Sequence, residues 1–347
     1  MTSAEERADL RAAVRAVLER APERAWPPLC EQVGVAGLLV PEHCGGLGAG
    51  LAEAAVVADE LGRGLSPAPF LGSAVLATTL LAAAADDETR SRLLPGLAEG
   101  SVTAAVAWTG PEGRWDPDVA ACAADGDVLD GTAHYVLDGA DADVLLVVAA
   151  TDDGPAVFEV APGGAGVRCA RAPAMDQSRA LATVTLTGAR GRRVAGAGRA
   201  ALAGARDAAC VALAAEQAGA AARALEITVG YCAQRRQFGR PIGSFQALKH
   251  RLADAYVLVQ TAASAAYAAA EAAEVDRPRL AAVAKAHCSE AFSAVAAEMI
   301  QLHGGIAITW EHEAHRFFKR AHGSAQLFGQ PHEHLARLPA LVAGETG

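Results

Sequence analysis

Three short stretches combine residue types that could bind a metal ion or a nucleotide. The two histidines of "HEAH", His312–His315, stand one residue closer than in the zinc-protease motif, which needs them at i and i+4 on one helix face. The glycines of "GGLGAG", Gly45–Gly50, lack the spacing of a dinucleotide-binding loop, and no strand–helix–strand pattern surrounds them. "HEH", His332–His334, is typical of a solvated helix edge. We therefore expect no metal site and no dinucleotide loop.

The segment "RRQFGRPIGSFQALKHRLAD", Arg235–Asp254, is the most distinctive in the chain. Its helical pattern is interrupted at Gly239–Pro241 and resumes near Ser244, which we expect to be the N-cap of the next helix. On spacing alone, a helix–loop–helix corner with solvated charges explains the segment equally well.

The same segment resembles the corresponding corner of the acyl-CoA dehydrogenase family, which has the form R-x-x-F-G-x-x-I-x-x-F-Q. Three more stretches are similar to that family in the same order: "VGVAGLLVPEHCGGLG", "DGDVLDGTAHYVLDGADADVLLVVA" and "QLHGGIAITWEHEAHRFFKRA". Ordered matches over nearly the whole chain are far more specific than any single one. The resemblance implies FAD as the cofactor and an acyl-CoA or another acyl thioester as the substrate.

Three cofactor contacts are implied by the resemblance at the corner. Arg235 matches the arginine that reaches the FAD pyrophosphate of a neighbouring subunit, where a guanidinium fork suits two phosphates better than a lysine. Phe238 and Gln246 match residues that line the same cofactor.

The resemblance also implies contacts in two other segments. Gln301, with Gly304 and Gly305, matches the segment in which the backbone approaches the adenosine half of FAD closely, which needs glycine. Thr109 matches the position at which the β domain hydrogen-bonds the flavin.

The catalytic base of the family is missing at both positions where the family places it. Acyl-CoA dehydrogenases desaturate a thioester between its α and β carbons: a glutamate removes the α proton while the β hydride moves to the flavin. One position maps onto Phe328, before Gly329, and the other maps onto Ala209, 26 residues before Arg235. Neither side chain can take a proton, so the resemblance is to a short, actinobacterial-like type that lacks the catalytic glutamate.

Further departures surround these two positions. Cys210 stands where the family often has an arginine, Tyr135 where it has a tryptophan beside the flavin, and Leu137 where it has a threonine that can reach flavin N5. Asp207 is the nearest acid to Ala209 and the remaining candidate for the base. Two residues along a helix turn by about 200°, so we expect Asp207 to face elsewhere.

Two functions are compatible with these departures. In the first, the chain is the base-lacking subunit of a heteromeric acyl-CoA dehydrogenase, Arg235 serves the partner's cofactor, and the chain is inactive alone. In the second, the fold serves other biosynthetic chemistry or non-catalytic binding. A flavin-free structural role leaves the retained corner without a physical reason. The partner is a second copy or, in a heterotetramer, a related subunit that carries the glutamate.

The pattern of apolar residues divides the chain into three zones of an α+β fold like that of the family. Residues 1–100 form an N-terminal helical domain, residues 101–195 a small β-barrel or sandwich, and residues 196–347 a C-terminal four-helix bundle that carries cofactor and oligomer contacts. Hairpin turns are expected at Asp125-Gly126 and Asp153-Gly154.

Three long helices are expected in the last zone. Apolar residues from Val211 to Val229 keep one helix face, a second helix runs from Phe245 to about Glu274, and a third runs from Arg277 to about Leu302. The third helix is expected to stop at Gly304-Gly305.

Composition excludes several classes of protein. The net charge of −10 and the pI near 5.5 argue against general nucleic-acid binding, which needs a clustered basic face. The seven cysteines are odd in number and form no CxxC pair, which favours a reducing cytoplasm over a disulfide framework. The N-terminus lacks the apolar core of a signal peptide, and the apolar stretches look too short to span a bilayer.

Overall fold

Helices, then strands, then helices follow one another in the computed structural model, which describes residues 3–20, 22–194 and 198–344. This order confirms the predicted α+β fold class. The helices of the first zone end at Glu99, the strands run from Ala104 to Val194, and the next helix begins at Arg199. The predicted boundary between residues 195 and 196 lies outside the described residues.

The N-terminal zone is built around one buried helix. Its helices are α1 (Ala4–Arg20), α2 (Trp26–Pro28), α3 (Leu51–Arg63), α4 (Thr78–Ala84) and α5 (Asp87–Glu99), with a π-helical segment, Phe70–Ala77, leading into α4. Every residue of α3 from Ala52 to Gly62 is buried, because α1 and a long helix of the C-terminal zone pack on it.

The β domain is one sheet whose two faces cover different cores. Within the described residues its strands are β1 (Ala104–Ala107), β2 (Cys122–Asp125), β3 (Val128–Leu137), β4 (Val144–Thr151), β5 (Gly154–Val160), β6 (Val167–Arg171), β7 (Leu181–Arg190) and β8 (Arg192–Val194). Their order is β6–β7–β3–β2–β4–β5–β8, and β1 pairs with β4 in parallel. Along β4, Leu145 and Val147 enter the core of the β domain, whereas Leu146 and Val148 enter the core shared with the helices. This double burial explains why β4 is continuously apolar.

Both predicted hairpins are present, the second with its turn one residue earlier than expected. Asp125 pairs with Val128 across the β2–β3 turn, and Thr151 pairs with Gly154 across the β4–β5 turn. Gly126 (φ 58°) takes the left-handed conformation within the first turn. The second turn is formed by Asp152 and Asp153, and Gly154 (φ 100°) follows it as the first residue of β5.

The C-terminal zone consists of helices joined by short loops. They are α6 (Arg199–Gln234), α7 (Gln246–Ala270), α8 (Arg277–His303), α9 (Ala314–Gln326) and α10 (Pro331–Ala343). A two-stranded ribbon, β9 (Arg236–Gln237) with β10 (Arg240–Pro241), separates α6 from α7.

The expected N-cap at Ser244 is wrong. The Ser244 Oγ donates to the Pro241 carbonyl at 2.7 Å within a 3-10 turn, Ile242–Ser244, so it is engaged before the helix begins. The extended residue Phe245 (φ −75°, ψ 131°) precedes the first helical residue instead. The helix also ends at Ala270, four residues before the expected Glu274.

The expectation that no stretch is apolar and long enough to span a bilayer is wrong for α8. Residues Arg277–Ile308 meet both criteria by length and composition. In the fold, however, α8 packs against α6, α7, α9 and α10, and it carries the fully buried Lys285. Core helices of bundles can be equally long and apolar, so this composition does not by itself indicate a membrane span.

Helices α3 and α6 cross through a pair of glycines, which gives a stability prediction. A Cβ on Gly219 would lie 2.1 Å from the Asp59 carbonyl oxygen, and one on Gly62 would lie 1.9 Å from the Glu216 carbonyl oxygen. We expect Gly219→Ala to lower the free energy of unfolding by about 1–3 kcal/mol or more, because the helices must separate. Urea unfolding measures this. The matched control is Gly230→Ala, on the same helix with open space around it, which should stabilise by about 0.5–1 kcal/mol.

Candidate active site

The corner after α6 is a tight ribbon that projects into solvent. Its turn residues Phe238 (φ 52°) and Gly239 (φ 77°) both have positive φ, the conformation of a two-residue hairpin turn. A non-glycine residue with positive φ is uncommon, and Phe238 is also 89% exposed. An exposed aromatic ring held on such a turn fits a contact with a second molecule.

Arg235 directly follows α6 and presents a guanidinium without a partner among the described residues. Its N–H donates to the Tyr231 carbonyl at 2.8 Å, and its own carbonyl accepts from Ile242 at 2.8 Å, so the backbone is fixed on both sides. Its exposed side chain has no hydrogen bond or ion pair with any described residue. Arg236, in contrast, donates to the Gly239 carbonyl at 3.2 Å. Arg235 is therefore free to bind an anion, which fits the pyrophosphate of FAD.

A guanidinium covers one face of Phe245, the second aromatic residue of the corner. The Arg240 guanidinium lies 4.0 Å from the centre of the Phe245 ring, and the Phe238 ring meets Phe245 edge-on at 6.1 Å. Gln246 contacts His250 at 2.9 Å and remains exposed.

The end of α8 contacts α6 through Tyr231, four residues before Arg235. The Tyr231 ring stacks on His303 at 4.3 Å, and its hydroxyl donates to the His303 carbonyl at 3.3 Å. Gly304 (φ 65°, ψ −145°) has a backbone conformation that only glycine adopts readily. Gly305 has no neighbour within 4 Å of an added Cβ, and Gln301 is exposed. The fold thus leaves open backbone where the resemblance places the adenosine.

The β-domain residues that the resemblance places beside the flavin are buried or hydrogen-bonded within the chain. Thr109 is buried, and its hydroxyl donates to the Arg114 carbonyl at 2.6 Å, so its proton is used within the chain. Tyr135 donates its hydroxyl to Pro111 at 2.9 Å, and Leu137 is buried in the core shared with the helices.

An aromatic cluster surrounds Phe328, one of the two positions where the resemblance predicts the base. Phe328 is 1% exposed and has positive φ (58°). Its ring meets Trp115 edge-on at 4.8 Å, and Trp115 in turn meets Trp108 at 5.7 Å. Ala209, the second position where the resemblance predicts the base, is fully buried.

Three side chains hold the strained loop of Phe328 and Gly329. The Lys285 ammonium donates to Gly329 (3.0 Å) and to two further neutral acceptors, the Ala325 carbonyl and Ser289 Oγ. The His334 Nε2 lies 3.0 Å from the Phe328 carbonyl oxygen, and the Cys210 thiol lies 3.9 Å from the same oxygen.

Burial shifts the titration of all three groups. It lowers the pKa of Lys285 to about 8 and raises the pKa of the Cys210 thiol to about 11. Burial, together with the charges of Lys285, Arg337 and Arg206, lowers the pKa of His334 to about 3. A neutral imidazole beside a protonated thiol is not a nucleophilic pair, so this group positions the loop.

The neutral His334 gives a pH prediction. Because its pKa is lower in the folded state than the ordinary 6.5, unfolding takes up a proton below pH 6.5, and stability falls as the pH drops toward 3. The amide of His334→Gln can keep the bond to Phe328 without titrating. We expect its loss of unfolding free energy between pH 6.5 and 4.5 to be smaller by about 2–3 kcal/mol than in the native chain. Urea titrations at both pH values measure this, and equal losses would contradict it.

Asp207 lies on a different face of α6 from Ala209, as expected, but on the side of Phe328. A cavity of about 870 Å³ lies beside Phe328, and we call it the Phe328 cavity. Asp207 lines it, because the start of α6 forms one wall and α10 another. Its Oδ1 accepts from Arg206 at 3.1 Å and contacts Arg337 at 3.5 Å. The turn of about 200° separates Asp207 from Ala209, which is buried on the opposite side of the helix.

Sequence reasoning missed several residues of this site. Trp115, Lys285 and Arg337 were not predicted there, although Lys285 is a lone charge within the apolar run of α8. His334, which was expected on a solvated helix edge, is buried, so that expectation is wrong for it. A smaller cavity of about 380 Å³ contains His312 and other polar side chains. Within the described part of the chain, no group of three His, Cys, Asp or Glu side chains could hold a metal ion.

Comparisons with known proteins identify the family of the chain. The models of the N-terminal and C-terminal domains of acyl-CoA dehydrogenases match residues 3–101 and 196–333. The acyl-CoA dehydrogenase IpdE2 of Mycobacterium tuberculosis is 45% identical over 328 residues, which cover 92% of this chain and 87% of that protein.

Two solved structures are also similar over their whole length. The ChsE4–ChsE5 complex from Mycobacterium tuberculosis is 30% identical with a TM-score of 0.86, covering 99% of this chain and 98% of that one. A variant of the Tcur3481–Tcur3483 steroid ACAD is 32% identical with a TM-score of 0.86, covering 98% of both chains. The chain therefore belongs to the acyl-CoA dehydrogenase family.

Proposed function

We propose that the chain is the base-lacking subunit of a heteromeric, FAD-dependent acyl-CoA dehydrogenase. One observation carries the proposal: Phe328, which the resemblance places at the base position, lies within a buried aromatic cluster, while Arg235 remains exposed and unpaired. A chain that only lost activity would have no reason to keep an unpaired guanidinium on a fixed hairpin. A chain that lends Arg235 to a partner's cofactor has one.

FAD, when bound, would accept the hydride from the β carbon of the thioester. The residues of this chain that would hold it are Arg235 at the pyrophosphate, Phe238 and Gln246 beside it, and the Gln301–Gly305 segment at the adenosine. The engaged hydroxyl of Thr109 and the apolar Leu137 support a site completed by the β domain of the partner.

Exposed apolar side chains on the C-terminal zone support an oligomer. Tyr256 and Val257 on α7 are 57% and 58% exposed, and Ile308 and Trp310 after α8 are 75% and 76% exposed. Such exposed apolar side chains would be covered in an oligomer. Two similar solved structures carry the names of two chains, which supports a heterotetramer with a related, glutamate-bearing subunit rather than a homo-oligomer.

The proposed substrate is an acyl-CoA thioester with a steroid-derived body, on the strength of the steroid ACAD among the similar structures. All seven cysteines are free thiols, which supports a reducing compartment such as the cytoplasm. The alternative is that the fold serves other biosynthetic chemistry or non-catalytic binding. The absence of a glutamate at both predicted base positions favours that alternative.

Co-expression with a glutamate-bearing relative tests the proposal. We expect the two chains to co-purify as a yellow complex, and the chain alone to be an incomplete assembly with little flavin. The proposal would be contradicted if the chain stays a colourless monomer at all protein concentrations and does not co-purify with the relative. That result would favour the alternative.

A further inference from the structure

Three aromatic rings from three segments of the C-terminal zone pack together, and we call them the ring bridge. Tyr231 lies in the last turn of α6, His303 is the last residue of α8, and His312 lies two residues before α9. The Tyr231 ring stacks on His303 at 4.3 Å, and the His303 ring lies 4.4 Å from that of His312. Tyr231 also meets His312 edge-on at 6.4 Å. The ring bridge therefore joins the ends of two long helices and the segment that follows them.

His303 is the fixed member of the ring bridge. It is buried, and its Nδ1 lies 2.7 Å from the Met299 carbonyl oxygen. A carbonyl can only accept, so Nδ1 carries the proton and donates it to this bond. Burial lowers the pKa of His303, which keeps the imidazole neutral at neutral pH. The orientation of the ring on which Tyr231 stacks is therefore set within α8.

The end of α6 has few other anchors. Beyond Thr228, Cys232 is the one buried residue of this helix in the described part of the chain. Helix ends fray when little of their surface is buried. Tyr231 supplies an anchor through its stack and through its hydroxyl, which donates to the His303 carbonyl at 3.3 Å.

The ring bridge lies between the two segments of the proposed cofactor site. Arg235 comes one helical turn after Tyr231, and Gly304 directly follows His303. Both segments are exposed, whereas Tyr231 is half-buried and His303 is buried. Among the described residues, no hydrogen bond or ion pair joins Arg235 to Gly304 or Gly305. The spacing between the guanidinium and the open glycine backbone is therefore controlled through the two rings.

We propose that Tyr231 is a positioning residue for the cofactor: through the ring bridge it fixes Arg235 relative to the backbone of Gly304 and Gly305, so that one FAD can span both. The inference rests on the proposed function, because it requires Arg235 to bind the pyrophosphate. Tyr231 acts through Arg235 and not by its own contact with the cofactor.

A double-mutant cycle on FAD affinity tests this role in the complex co-purified with a glutamate-bearing relative. Dilution of the flavin-loaded complex, followed by the rise of flavin fluorescence, gives the Kd. We expect Tyr231→Leu to raise the Kd about tenfold, because the stack and the hydroxyl bond are both lost. Arg235→Ala should raise it at least about tenfold in the native background but no more than about twofold beside Tyr231→Leu, because the guanidinium is then no longer positioned. If no relative co-purifies, the same cycle is measured on the full chain with added FAD.

Two further variants of Tyr231 separate positioning from the filling of space. Tyr231→Phe keeps the stack, so its Kd should stay within about twofold of the native value. Tyr231→Met fills the same space with a flexible side chain that cannot stack, and it replaces Tyr231→Leu if that variant does not fold.

Tyr267→Leu is the control for general loss of stability. Tyr267 donates to Asp59 at 2.8 Å and so joins α7 to α3, outside the ring bridge. Its effect on the Kd should add to that of Arg235→Ala within about twofold.

Three results would overturn the inference. They are native affinity in Tyr231→Leu, additive effects of Tyr231→Leu and Arg235→Ala, and a cycle with Tyr267→Leu that is as non-additive as the one with Tyr231→Leu. In each case a large effect of Arg235→Ala in the native background would leave the proposed function standing. If Arg235→Ala keeps native affinity, the role of Arg235 in the proposed function is wrong and this inference fails with it.

Discussion

The isolated chain, supplied with FAD, is expected to leave the flavin oxidised when mixed anaerobically with acyl-CoA thioesters. An α proton needs a positioned base of matched pKa, and such a base typically contributes about 10²- to 10⁴-fold to the rate. Phe328 and Ala209 cannot supply it. Addition of a glutamate-bearing partner should raise the rate of flavin bleaching by at least about 100-fold. Stopped-flow absorbance with a panel of acyl-CoAs measures both rates.

Two variants sharpen this prediction. Phe328→Glu alone is not expected to restore bleaching, because its carboxylate would lie against Trp115 in a buried cluster and Leu137 and Cys210 have also changed. Rapid bleaching by the isolated chain that Asp207→Asn abolishes would show that Asp207 is the base. No bleaching even with the partner would favour the repurposed fold.

Arg235→Ala is expected to lower flavin occupancy of the assembly at least tenfold. Each hydrogen bond from a guanidinium to a charged group contributes about 1.5–3 kcal/mol, and a forked guanidinium makes two. Flavin released from the purified complex, measured by absorbance per mole of protein, gives the occupancy.

Arg236→Ala is the matched control for this variant. Arg236 is adjacent and exposed, but its guanidinium bonds to Gly239 within its own hairpin, so its loss should leave most of the flavin bound. Full occupancy in Arg235→Ala, or equal losses in both variants, would show that Arg235 does not bind the cofactor.

Sequence reasoning succeeded where local pattern decides the structure. The glycine and aromatic of the hairpin, Phe238 and Gly239, lie next to Arg235 in the chain, so one segment contains the whole corner. The hairpin turns and the long helices follow from spacing that a short window reveals. The fold class follows from the order of these elements along the chain.

The missed features depend on contacts between distant segments. Lys285 bonds to Gly329 across 44 residues, and Asp207 meets Arg337 across 130. The Phe328 cavity exists because α6, α10 and the loop of Trp115 converge, and no window of sequence contains all three. The prediction of an N-cap at Ser244 was wrong for a local reason, because the Ser244 hydroxyl is hydrogen-bonded to the Pro241 carbonyl within a 3-10 turn.

Flavin stoichiometry of the purified complex tests the central claim most directly. If this chain lends Arg235 to a partner's site and completes no catalytic site of its own, each pair of unlike chains should hold one flavin, and Arg235→Ala should remove it. A complex with one flavin on every chain, or one whose single flavin survives Arg235→Ala, would contradict the account.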